Sequence, residues 1–235
     1  MSLIYVVIGA SRGIGLAFVK QLVKRDAIVF ACARNPESSI ELQDLIQANK
    51  QQIFPITIDI THTSSIQVLD QKVTSSIDVL INNAGIAGTN EYNIETTPRE
   101  EYTKVFNTNV FGVSDVTKAM IPLLKLRETK KIINISSVLG SVSAMDGTRG
   151  SGQEPVYSIS KSALNMMTRL TANHLQPEGF IVFAIHPGWV KTDMGGNHAP
   201  VTQEESVHGI LHKVDTSIAK DCGGFFEYTG KELDW

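Results

Sequence analysis

LIYVVIGASRGIG, Leu3 to Gly15, is the stretch from which the fold of this chain can be read. Leu3–Ile8 is a continuous β-rich apolar run, the pattern of a strand buried on both faces. The turn Gly9-Ala10-Ser11-Arg12-Gly13-Ile14-Gly15 follows it, and a helical pattern runs from Ile14 to Lys24. Strand, glycine-rich turn and helix in succession make a candidate phosphate site. The glycines permit a tight turn and close approach of a ligand, and a helix N-terminus attracts anions. The spacing is G-x-x-x-G-x-G, and a plain tight turn between strand and helix would carry the same residues.

Outward from that stretch, strand and helix patterns alternate. Ala27–Ala33 is the second strand and ends at Arg34, with no carboxylate until Glu37. Dinucleotide folds place an acid here for the ribose hydroxyls, or an arginine for a 2′-phosphate. Arg34, with Arg12 in the turn, favours NADP over NAD, because a guanidinium fork suits a phosphate. Either arginine taken singly also reads as a solvated loop residue. Pro36 begins a helix to about Asn49, and Ile53–Ile58 is a strand in which Pro55 implies an edge position. Asp59 either meets an adenine amino group or caps a helix from Thr63 to Ser75. Ile77–Ile81 is a strand that runs into Asn82-Asn83-Ala84-Gly85, residues that make a turn or line a ligand.

Thr97–Leu126 is helical in pattern, with Pro122 as a kink or break. Asn109 lies inside it, against propensity, and so needs either solvent or a specific partner. Lys131–Ser137 is a strand ending in a serine pair. Gly140–Pro155 is a loop of sixteen residues, long enough to suspect a function. Val156–Thr171 then begins a helix reaching about Leu175, with Tyr157 and Lys161 one turn apart on one face. A neighbouring ammonium favours the phenolate, so the pKa of Tyr157 should fall below its usual value of about 10. That makes Tyr157 a usable proton donor or acceptor near neutrality. Taken alone, Y-x-x-x-K is equally an ordinary helix surface. Leu164, Met166, Met167 and Leu170 give this helix more apolar surface than one stripe needs. They pack across a two-fold axis or against the sheet of their own subunit. Phe180–Ile185, a helix over Thr202–Thr216 and a short strand at Gly224–Tyr228 complete the series. His208 and His212 lie four apart without a third ligand, so no metal site is assigned.

The 235 residues, 42% apolar, suit one α/β domain spanning 1–235. A net charge of −3 with scattered basic residues speaks against nucleic acid. Cys32 and Cys222 form no disulfide or ligand pattern, which fits a reducing, cytoplasmic setting. No signal-peptide pattern and no apolar run of membrane-spanning length are present.

Five markers now stand in a fixed order: GASRGIG at Gly9–Gly15, NNAG at Asn82–Gly85, Asn109, the strand-end serines with YSISK at Tyr157–Lys161, and HPG at His186–Gly188. Together they resemble the short-chain dehydrogenase/reductase family over essentially the whole chain. HPGWVKTDMGG at His186–Gly196 and the ending GGFFEYTGKELDW are similar to its C-factor and sniffer-type carbonyl reductase branch. The resemblance implies a single-domain Rossmann fold: a doubly wound, seven-stranded parallel sheet of order 3-2-1-4-5-6-7, with helices on both faces. It implies NADPH across the C-terminal strand ends, reduction of a ketone or aldehyde, and a homodimer.

Residue by residue, the resemblance makes Tyr157 the general acid and base. Lys161 lowers its pKa and binds the nicotinamide ribose, Ser137 polarises the substrate carbonyl, and Asn109 holds a water in a proton relay. Gly9, Ser11, Arg12, Gly13, Ile14 and Gly15 form the phosphate turn, and Arg34 takes the 2′-phosphate. Asp59 and Ile60 touch adenine; Asn83, Ala84 and Gly85 line the cofactor. Pro187, Gly188, Val190 and Thr192 contact the carboxamide and pyrophosphate. The C-factor likeness also leaves open a dinucleotide-binding regulatory or signalling protein with little activity. Three departures from the family pattern stand out. Ile8 replaces the common Thr before the turn. Ser137 and Tyr157 are twenty positions apart, more than is common. The short, glycine-bearing segment from Thr192 to Pro200 suggests an open or mobile lid.

Overall fold

The computed structural model describes residues 2–67, 69–73, 75–89, 91–146 and 154–235. Seven strands, β1 (Ile4–Ile8), β2 (Ile28–Ala33), β3 (Ile53–Thr57), β4 (Val79–Asn82), β5 (Lys131–Ile135), β6 (Ile181–His186) and β7 (Phe225–Glu227), form one sheet. Every pairing is parallel, in the order β3-β2-β1-β4-β5-β6-β7. The order reverses between β1 and β4, and ligands of open α/β sheets bind at the carboxyl ends beside such a reversal.

The sheet is apolar on both faces, as the unbroken run in β1 requires. Tyr5 and Val7 point to one side, where they join Phe18 and Leu22 of α1 (Gly13–Val23), Leu42 of α2 (Ile40–Ala48) and Ile210 and Leu211 of α8 (Gln203–Thr216). Val6 and Ile8 point to the other. They join Ile66 of α3 (Thr63–Ile66), Leu69 of α4 (Leu69–Lys72), Met120 and Leu124 of α6 (Val113–Leu124) and Leu175 of α7 (Pro155–Leu175). Each such fully buried side chain contributes about 1.5–3 kcal/mol of transfer free energy. The expected doubly wound, Rossmann-type architecture is therefore the observed one.

Pro55 lies on the edge strand β3, where its missing N–H disturbs no inner ladder. Other boundaries differ from the sequence reading. Pro36–Ser38 is a separate 3₁₀ turn, and α2 starts only after Ser39, whose Oγ accepts from Leu42 N at 3.3 Å. The helix expected over Thr63–Ser75 consists of the short α3 and α4. Pro122 sits inside α6 without breaking it, two residues before its end at Leu124. The long helix is interrupted instead at Asn107–Gly112, a π-helical segment between α5 (Arg99–Phe106) and α6. Gly112 packs there on the backbone of Ile60; a Cβ on it would fall 2.5 Å from Ile60 O.

On α7, Leu164 is buried, whereas Met166 and Leu170 are more than half exposed, at 62% and 60%. Of the loop expected over Gly140–Pro155, 147–153 lie outside the described residues. Its first part is held by the C-terminal segment: Ser143 N donates to Trp235 O at 3.0 Å, and the Trp235 ring stacks on Phe225 at 5.3 Å. Among the described residues no helix is long and apolar enough to cross a membrane.

Candidate active site

The glycine-rich turn leaves β1 with Gly9 N and Ala10 N both donating to Cys32 O, at 2.8 and 2.9 Å. Gly9 has φ +82°, a left-handed conformation that glycine adopts without strain. Gly15 is required by space: a Cβ there would sit 2.0 Å from Gly9 O. The first amides of α1 have no acceptor within the helix, and no acidic residue occupies its first turn. Open N–H groups, helix dipole and absent side chains together fit the pyrophosphate of a dinucleotide. Ile8 is buried in the core. Asn83 Nδ2 donates to Ile8 O and Gly9 O at 3.1 and 3.2 Å. Asn83 therefore braces the turn from behind. Ala84 lies against it too, 3.0 Å from where a Gly9 Cβ would be.

Arg12 and Arg34 are both exposed beside this turn. Arg12 Nη1 meets Asp193 Oδ2 at 3.3 Å. Asp59, after β3, accepts from Thr61 N and Thr61 Oγ1 at 2.9 and 2.7 Å, and its other oxygen faces His62. Burial opposes ionisation of Asp59, but these hydrogen bonds, with His62 and Arg34, hold its carboxyl below the usual range. The expected capping role is corrected: the N-cap of α3 is His62, with no side-chain cap, and Asp59 closes the turn before it through Thr61 instead. Ile60 is buried, its carbonyl against Gly112.

Beyond β6, the chain passes Pro187 and Gly188 (φ +85°) and returns over the glycine turn, with Thr192 Cγ2 3.5 Å from a Gly13 Cβ position. Val190 is buried and pairs with Val201. The segment from Thr192, expected to be open, is laced at its start. Gly195 N donates to Thr192 Oγ1 (3.0 Å), Gly196 N to Thr192 O (2.8 Å) and Trp189 Nε1 to Gly195 O (2.7 Å). The cause is Gly195, where a Cβ would lie 2.1 Å from Val190 O. Only glycine lets this turn close.

At the β5 end the two serines part. Ser136 Oγ turns into the protein and donates to Asn165 Oδ1 at 2.6 Å. Ser137 lies beside Tyr157, close enough to act on its phenol; its Oγ accepts from Leu139 N at 3.1 Å. Lys161 Nζ donates to Ile135 O at 2.8 Å and lies 5.6 Å from the Tyr157 ring centroid. Gly85 closes the space between: a Cβ on it would be 3.5 Å from Lys161 Nζ and 3.4 Å from Asn109 Oδ1. Asn109, on the π-helical segment, donates to Ile86 O and Ser160 Oγ at 2.9 and 3.0 Å and accepts from Ile86 N at 2.9 Å. Its side chain thus clamps the strand-end loop to α7.

The expected acidification of Tyr157 is corrected by the structure. Burial pushes its phenol up to about 12, against the hydrogen bond from Ser137 and with a further rise from Glu154. Burial pushes Lys161 down to about 8. Removal from water disfavours both charged forms, and among the protein groups alone it outweighs an ammonium whose bond is to a carbonyl.

Three positions that the sequence reading did not single out complete the site. Ser160 links Asn109 to the Tyr157 carbonyl, donating at 2.7 Å. Glu101 accepts from Thr89 N at 2.9 Å and fixes the far end of the loop after Gly85. Asn165 holds Ser136. Asn165 carried a usable signal, since it stands eight residues after Tyr157 inside a helix that disfavours Asn.

Residues 3–202 match the family model described as short chain dehydrogenase. The C-signal protein of Myxococcus xanthus is 37% identical over 69% of this chain and 95% of its own length. The NADPH-bound carbonyl reductase from chicken fatty liver superposes with a TM-score of 0.92 at 34% identity, covering all of both chains. The carbonyl reductase Sniffer of D. melanogaster does so with a TM-score of 0.92 at 32% identity, again over all of both chains. The protein belongs to the short-chain dehydrogenase/reductase family, in the branch that contains C-signal and the sniffer-type carbonyl reductases.

Proposed function

We propose that this oxidoreductase is an NADPH-dependent carbonyl reductase that converts a ketone or aldehyde to its alcohol. The observation that carries the reading is the grouping of Ser137, Tyr157 and Lys161, with the Lys161 ammonium 5.6 Å from the Tyr157 ring centroid and held by Ile135 O, at the strand ends next to a turn shaped for pyrophosphate. When bound, the nicotinamide supplies the hydride. Tyr157, a protonated phenol across the physiological range, gives its proton to the substrate oxygen, and solvent returns one. Ser137 orients and polarises the carbonyl through its hydroxyl. Lys161 holds the strand end and meets the ribose hydroxyls; its charge favours the transient phenolate. Asn109 and Asn83 position the loop and turn on which the cofactor lies. Arg12 and Arg34 receive the 2′-phosphate. Pro187, Gly188, Val190 and Thr192 form the wall at the carboxamide.

The test is NADPH oxidation, followed by absorbance, with a panel of diketones, quinones and aldehydes. Tyr157→Phe should bind NADPH normally and lose roughly 10²–10⁴-fold in kcat, the worth of a positioned acid. Arg12→Ala/Arg34→Ala should weaken NADPH without weakening NADH. The C-signal likeness favours a second reading, a dinucleotide-binding signalling protein. Tight NADPH binding with no turnover on any carbonyl would select it. The reductase is proposed to act in the cytoplasm, in keeping with the free thiols of Cys32 and Cys222. It is proposed to act as a homodimer, in keeping with the outward Met166 and Leu170 of α7; sedimentation tests the latter.

A further inference from the structure

We infer that Asn165 is the positioning residue for Ser137, gripping the strand-end turn on both sides of it. The inference rests on the carbonyl-reductase reading. Asn165 is buried, 3% exposed, and makes two hydrogen bonds to that turn. Its Oδ1 accepts from Ser136 Oγ, the residue before Ser137, at 2.6 Å. Its Nδ2 donates to the carbonyl of Gly140, three residues after Ser137, at 3.1 Å. Between these holds the turn closes on itself, Gly140 N donating to Ser137 O at 2.9 Å. The turn can lie this close to α7 because residue 140 is glycine: a Cβ would stand 2.7 Å from the Lys161 carbonyl carbon. Ser137 sits between these holds, its Oγ accepting from Leu139 N at 3.1 Å on the side of Tyr157.

One face of α7 thus reads the end of β5 in order. Tyr157 meets Ser137, Lys161 takes Ile135 O, Asn165 takes Ser136 and Gly140, and Thr168 Oγ1 accepts from Asn134 Nδ2 at 2.8 Å. The Asn165 side chain bonds to Ser136 and Gly140, on either side of Ser137. It acts through Ser137.

A double-mutant cycle with Ser137 separates this role from general stability, because coupled residues are non-additive. Asn165→Ala should lower kcat roughly 10–100-fold, as for a small misplacement of a reacting group, with NADPH affinity unchanged. In a Ser137→Ala background it should lower kcat no further; an equal loss in both backgrounds overturns the inference. The second readout needs no substrate. NMR of Cζ-labelled tyrosine, with the Tyr157 resonance assigned by Tyr157→Phe, reports the hydrogen bond to the phenol. Asn165→Ala should move that resonance in the same direction as Ser137→Ala. An unmoved resonance refutes the positioning role even if the wild type reduces no carbonyl, so failure of the inference and failure of the reductase reading are told apart. Should Asn165→Ala not fold, Ser136→Ala removes the acceptor-side hold alone and should shift the same resonance partway; no shift there refutes the role as well.

Discussion

Lys161 is a buried ammonium that releases its proton at about 8 where an exposed lysine does so at 10.5. Between those values the unfolded chain binds the proton more tightly than the folded one, so this group makes stability rise with pH. Compared with Lys161→Met, the wild type should gain up to about 1.4 kcal/mol per pH unit across that window, read by urea unfolding at pH about 8, 9 and 10. The sign reverses for Tyr157, whose folded value lies above the usual phenol value of 10.0, so the comparison stops there. At this scale the sequence named the chemical groups correctly as neighbours, since four-residue spacing on a helix fixes that. It did not carry the direction of the phenol's shift. Burial is a property of everything packed around a residue, and desolvation dominates both groups.

The turn between β1 and α1 is the element on which the cofactor reading depends, and it tolerates a methyl group far less than the turn between α7 and β6 does. Gly15→Ala places a Cβ 2.0 Å from Gly9 O and 2.7 Å from Asn83 Nδ2. Backbone has to move to make room, at a cost of about 1–3 kcal/mol or more. Thermal denaturation should show that loss, and NADPH titration a fall of tenfold or more in affinity. Gly179→Ala meets nothing within 4 Å and bears only its φ of +84°, so it should cost about 1 kcal/mol and leave NADPH binding unchanged. The strand–turn–helix order was legible because three glycines interrupt an apolar run. The π-helical break at Asn107–Gly112 was not. It answers to two remote contacts, Asn109 with Ile86 and Gly112 with Ile60 O, and no local pattern records a partner more than twenty residues away.

Across the whole molecule, the active site gathers at the carboxyl ends of the strands and a structural clamp sits at the other end. Asp78, before β4, accepts from Ile4 N at 2.9 Å and from Arg127 Nε and Nη2 at 3.1 and 2.8 Å. Asp78 is 2% exposed. Burial works against its charge, but Arg127 and the Ile4 amide hold the carboxyl below its usual range. Asp78→Ala leaves Ile4 N and the partly exposed Arg127 without their acceptor and should cost about 1–3 kcal/mol. For a chain of this size that is a fall in Tm of about 5 °C, with the NADPH affinity of the folded fraction preserved. Because the folded value is depressed, the contribution is intact at neutral pH. It is lost as pH falls through the depressed value, so acid unfolding should flatten the difference between wild type and variant.

The sequence by itself determined the alternation of strands and helices, the glycine turn, and the pairing of Tyr157 with Lys161. Each is set by spacing within a few residues and by which side chains water rejects. The family markers extended this to strand order and to the companions Ser137 and Asn109. Only the tertiary structure decided that Ser136 turns inward to Asn165, that Asn83 braces the glycine turn, and that Asn165 grips the turn around Ser137. It also decided that the segment from Thr192 is laced at its start, through Gly195 and Gly196. These are contacts between groups distant in the chain, chosen by the space and hydrogen-bond partners that remain once the sheet and its helices have packed.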